Sequence, residues 1–189
     1  MSIQSALKSL QSAGVLFPYR PYNTRRPARR RLFLTARAEK DRTDPNSAAN
    51  ILCHKGLIHA TLDRWVLGDR IYGDRKARFL TDLRPPPPEV WEIRVVEPKA
   101  QQARLLGRFA EPDTLVLTAF HTRHYLGDMG SQAWQDAMND CVTQWDSFTP
   151  ALPVFSGKTI EEYVNDNCDK FDIKLPSARG TNAGKARSG

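Results

Sequence analysis

The sequence predicts an α+β fold, a small antiparallel sheet of three or four strands packed against helices, with a basic N-terminal arm and a C-terminal helix. Three observations carry this expectation. Residues 89–96, 103–110 and 114–124 are apolar runs of strand length, separated by turn-forming residues. Immediately afterwards Trp134, Met138, Cys141, Trp145 and Phe148 recur at spacings of three and four, the signature of one buried helix stripe. Positive charge is concentrated at the N-terminal end. Residues 1–43 hold ten of the 28 Lys and Arg against Glu39 and Asp41, a net +8, and the remainder is close to neutral. The chain therefore divides into an arm rich in Pro and Arg (1–50), an α+β domain with its C-terminal helix (51–175) and a tail (176–189).

The elements follow in order. Ile3, Leu7 and Leu10 share a helical face that Gly14 can end. In 19–33 arginines alternate with Tyr, Pro and Phe, and Pro18, Pro21 and Pro27 prevent one continuous helix. Leu57, Ile58, Leu62, Trp65 and Val66 fit a helix that Gly68 ends, and a second helix is expected over 74–83. Four prolines, 85–88, form a stiff extended linker. In the first strand Trp91, Ile93 and Val95 turn one way and Glu92 and Arg94 the other. In the second, Leu105 and Phe109 oppose Arg104, Leu106 and Arg108. The third is apolar on both faces, as a central strand is, and Glu111, Pro112 and Asp113 join it to the second as an antiparallel hairpin. The long helix begins near Ser131. Thr159 and Glu162 form a capping-box signature for a last helix to about Phe171. The tail is small, polar and Gly-rich, and is expected to be disordered.

Length allows one domain with a sizeable core. No run approaches the roughly 18 apolar residues of a membrane span, and a cytoplasmic protein without a membrane partner is expected. Three cysteines, 53, 141 and 168, form no CxxC pair and leave an odd count, which argues against a disulfide framework. Cys53, His54 and His59, or His121 and His124, are too few for a zinc ligand set, so neither a metal nor a cofactor is expected.

Two sets of residues carry the functional expectation. Arg94, Arg104, Arg108, His121, Arg123 and His124 lie on or beside the strands, where they can hold a phosphate-bearing ligand. In the arm, Arg25, Arg26, Arg29, Arg30 and Arg31 can bridge phosphates while Tyr19, Tyr22 and Phe33 stack on bases.

The segments Trp91-Glu92-Ile93-Arg94, Ala103-Arg104-Leu105-Leu106, the strand 115–123 and the helix from Ala133 to Ala137 resemble, in this order, the RelE/HigB-type toxins and their phage-encoded relatives. The resemblance covers about 57–148. It implies two helices against a small antiparallel sheet with a further helix, and a toxin that cuts mRNA, commonly on the ribosome, until an antitoxin protein restrains it. Arg94, Arg104 and Arg123 match the family's basic positions, with Arg108 and His121 nearby. RNA cleavage of this kind needs a base for the 2′-hydroxyl, cations for the phosphate and an acid for the leaving oxygen. His121 or His124 would serve as acid or base, and the arginines as phosphate forks. The competing expectation is a non-catalytic module, from a phage or other mobile element, that binds RNA or a protein through its basic arm.

Overall fold

The computed structural model describes residues 2–22, 25–47, 55–73, 79–83, 89–96, 102–148 and 151–173. In chain order these form α1 (Ile3–Ser12), β1 (Leu16–Pro18), β2 (Arg31–Thr35), α2 (Ala36–Thr43), α3 (Lys55–Val66), β3 (Leu80–Asp82), β4 (Trp91–Val95), β5 (Ala103–Glu111), β6 (Thr114–Thr122), α4 (Arg123–Leu126), α5 (Gln132–Asp146) and α6 (Ile160–Tyr163). The fold is α+β, as expected.

The sheet is larger than expected and is mixed. Its strand order is β1-β2-β6-β5-β4-β3. β2 runs parallel to β6, Arg31 opposite Thr114 and Leu34 opposite Leu117, and all other neighbours are antiparallel. The two unexpected strands at one side, β1 and β2, come from the N-terminal basic segment. That segment is therefore not an arm apart from the body. Leu32, Phe33 and Leu34 are buried in β2, which the surrounding arginines obscure in the sequence. The expected helix over 74–83 is corrected for its described part, because Leu80–Asp82 pairs with β4 as the edge strand β3. Three residues are too few to show alternation, and the spacing of Phe79, Leu80 and Leu83 imitates a helix. Residues 74–78, the prolines at 85–88, Cys53, His54 and the tail 176–189 lie outside the described residues.

All nine residues of β6 are buried, in keeping with its place between β2 and β5. β5 and β6 form the expected hairpin through Pro112 and Asp113, the latter at φ 57°. A bulge at Leu106/Gly107 breaks the register. Gly107 is required there, since a Cβ would lie 2.3 Å from the Val116 carbonyl oxygen.

One face of the sheet carries the larger core. Trp65 of α3, Trp91, Phe109 and Tyr163 pack as a connected aromatic cluster, with ring centroids 4.6–5.7 Å apart. Gly68, at φ +72°, ends the turn after α3. The C-terminal helix is shorter than the expected run to Phe171. α6 stops at Tyr163, and Glu162 accepts from the Lys158 amide rather than closing a box on Thr159. Beyond it an isolated bridge joins Ile71 to Cys168, while Tyr163, Val164 and Phe171 dock on the core. The opposite face is covered by α5, capped by Ser131, whose Trp134, Met138, Cys141 and Trp145 are buried, and by α1 through Ala6 and Leu7.

Candidate functional site

Pairing register builds the candidate site. Arg94 of β4 lies opposite Arg104 of β5, which lies opposite His121 of β6. Directly opposed residues project from the same face, so these three form one row across the sheet. Glu92, two residues before Arg94, projects from that face too and is fully buried. Its carboxylate accepts from Arg94 Nε at 2.5 Å and pairs with Arg104 Nε at 3.2 Å. Arg104 also donates to the carbonyls of Ala103 (2.9 Å) and Val95 (3.4 Å) and to Gln102 Oε1 (3.4 Å). Burial lowers the Arg104 pKa; Glu92 opposes that shift, and the fields of Arg94 and Arg123 add to it. Arg104 thus feels two further guanidinium groups, one of which, Arg94, shares the buried Glu92 carboxylate with it. Arg123 is half-buried and makes no side-chain ion pair or hydrogen bond among the described residues.

His121 is buried, and its Nε2 has no hydrogen-bond partner among the described residues. Burial first, and then the Arg37 charge, push its pKa down to about 4. The ring is therefore neutral near pH 7. Tyr125, the third residue of the one-turn helix α4, stacks on it with centroids 5.7 Å apart and planes 14° from parallel. α4 itself is held by Thr122, whose hydroxyl accepts from the Tyr125 amide. Tyr125 is 61% exposed, and His124 beside it is also exposed. A flat exposed ring over the row of basic groups can stack a nucleobase. Sequence reading passed over Tyr125, because the only signal was an aromatic just after two basic residues.

Arg108 is not part of this group. Its Nε donates to the Glu89 carbonyl (3.4 Å) and its guanidinium lies 5.7 Å from the Trp145 ring centre, a packing role against α5. The arginines expected to bind RNA from a free arm are largely engaged by the body. Arg26 pairs with Asp69, Arg29 with Asp166, and Arg31 with Glu111. Arg30 is buried; it donates to the carbonyls of Asp69 (3.1 Å) and Asp166 (2.7 Å) and sits 5.1 Å from the Trp65 ring centre. Arg25 lies in a turn between β1 and β2. Of the arm's aromatics, Tyr19 and Phe33 are buried and Tyr22 is 70% exposed.

No protein-family model, curated protein or solved structure matches the chain. Among the described residues no helix is long and apolar enough to cross a membrane.

Proposed function

We propose that this protein binds RNA at Arg94 and Arg104 of the sheet row, with Arg123 beside it, and cuts it without a metal, as the RelE/HigB-type toxins that its strand order resembles do. On this reading it works in the cytoplasm on RNA, free or on the ribosome, under the restraint of an antitoxin protein. One observation carries the proposal: Arg94 and Arg104 share one buried carboxylate while the charge of Arg123 also reaches Arg104, which leaves excess positive charge where phosphate can approach. Glu92 fixes the orientation of Arg94 and Arg104 through their Nε atoms. Arg123 is the group that meets phosphate. Tyr125 stacks a base, and His121 supports Tyr125 from beneath. Proton transfer then falls to the exposed His124, since a buried imidazole titrating at about 4 is a poor acid near neutrality.

That same lowering favours a second reading, a module that binds RNA without cutting it, because it withdraws the buried histidine of the row from acid–base work. The test is incubation of the purified protein with end-labelled single-stranded RNA, with and without ribosomes. We expect cleavage, with Arg123→Ala weakening binding at least tenfold and Arg108→Ala leaving it near wild type. Tight binding without product at any protein concentration would favour the second reading. Absence of binding at low salt would sink both.

A further inference from the structure

A second polar cluster joins α2, α3 and the segment after β1, built from residues that the RNA reading does not use. It centres on His59 of α3, which is 5% exposed. The Tyr19 hydroxyl donates to Asp63 Oδ1 at 2.7 Å, and the Tyr19 hydroxyl oxygen lies 3.4 Å from His59 Nδ1. With the Tyr19 proton committed to Asp63, its oxygen is left to accept from Nδ1–H. Burial, and then the bond to Asp63, raise the Tyr19 pKa, so the phenol keeps its proton. The lone pair of His59 therefore sits on Nε2. Two donors approach it at 3.5 Å, the Tyr22 hydroxyl and Arg42 Nη1.

The two residues at Nε2 differ in how they are held. Arg42 is fixed by Glu39, which accepts from its Nε (2.8 Å) and Nη2 (2.5 Å), so that Nη1 is turned toward His59. Tyr22 meets the His59 ring edge-on at 4.7 Å but is 70% exposed. Its backbone amide is tied to Asp63 at 3.3 Å. The segment from Tyr19 to Tyr22 is thus a strap pinned at Asp63, and the Tyr22 phenol is a loosely held cover over a well-oriented base.

We propose that His59, Arg42 and Tyr22 form a ligand site, distinct from the arginine row, for a small molecule that carries a hydroxyl beside an anionic group, such as a sugar phosphate. The ligand hydroxyl takes the place of the Tyr22 phenol and donates to His59 Nε2. The anionic group lies against Arg42, with the exposed Arg20 of the strap as a second positive charge. The ligand hydroxyl keeps its proton and donates it in a hydrogen bond to Nε2, while Tyr19 and Asp63 hold the imidazole in orientation through Nδ1.

The full chain is titrated with ribose 5-phosphate while the His59 ring is followed by nitrogen-15 NMR. We expect the neutral Nδ1–H tautomer in the free protein and saturable movement of the His59 signals on titration. Ribose alone or inorganic phosphate alone should bind at least tenfold more weakly. Tyr22→Ala should tighten binding at least threefold, because the competing phenol is gone. Arg42→Gln should weaken it at least tenfold with an unchanged melting curve; if that variant melts early, the Tyr22→Ala comparison decides. Unmoved His59 signals in both wild type and Tyr22→Ala, an equal response to inorganic phosphate, or weaker binding by Tyr22→Ala would each overturn the proposal.

Discussion

Burial determines what His121 does to stability. Its neutral form is preferred in the folded state, where its pKa falls to about 4, whereas the unfolded chain binds a proton near the ordinary value of about 6.5. Between these values the unfolded state holds more protons, so stability falls as pH drops through that window and is fully present above it. A shift of this size corresponds to about 3 kcal/mol between neutral pH and pH 4. Urea unfolding at pH 7 and pH 4.5 should show the loss in the wild type. In His121→Gln the loss should be smaller by most of that amount, since the group that gains the proton is absent. Equal pH dependence in the two proteins would mean that His121 is not neutral in the fold. Arg30 shows the same effect of burial, here opposed by acidic partners. Burial lowers its pKa, and nearby Asp113 and Asp166 offset the cost.

The β5–β6 hairpin depends on one glycine. Gly107→Ala places a methyl group against the Val116 carbonyl at the bulge, so the two strands must separate or slip. The expected cost is about 3 kcal/mol, at the upper end of overpacking effects, read as a lowered urea midpoint with little change in slope. Elements of this kind were legible in sequence to differing degrees. The hairpin, its turn at Pro112 and Asp113, and the α5 stripe from Trp134 to Phe148 carry a clear period, because each element is long and one of its faces meets the core. β2 does not. Its apolar core of Leu32, Phe33 and Leu34 is bounded by Arg29, Arg30 and Arg31, and local charge hides a strand that is buried between β1 and its parallel partner β6. The candidate site divides the same way. Arg94, Arg104 and His121 could be placed on strands, but their alignment depends on register, and the carboxylate that organises them, Glu92, reads in sequence as an outward residue of an alternating strand.

For the molecule as a whole, charge that looks segregated along the chain is matched in space. The N-terminal arginines meet Asp69, Asp113, Asp166 and Glu111, so the basic segment is bound to the body along its length. Deleting residues 1–43 removes β1, β2 and α2, strips β6 of its parallel partner and exposes its edge. The expected outcome is loss of the cooperative melt by circular dichroism, with aggregation, rather than a folded body that has merely lost affinity for RNA. A soluble truncated protein with a wild-type melt would contradict this.

The parallel pairing of β2 with β6 also orders events during synthesis. Arg31 leaves the ribosome long before Thr114, its partner. At roughly 5–20 residues per second, β2 waits several seconds with only β1 beside it and its other edge unpaired, and the hairpin's second strand is what finally closes the sheet. The nascent chain is most open to chaperone capture, and to wrong strand partners, in that interval, and synonymous changes that slow translation between the two strands should lower soluble yield without altering the finished protein.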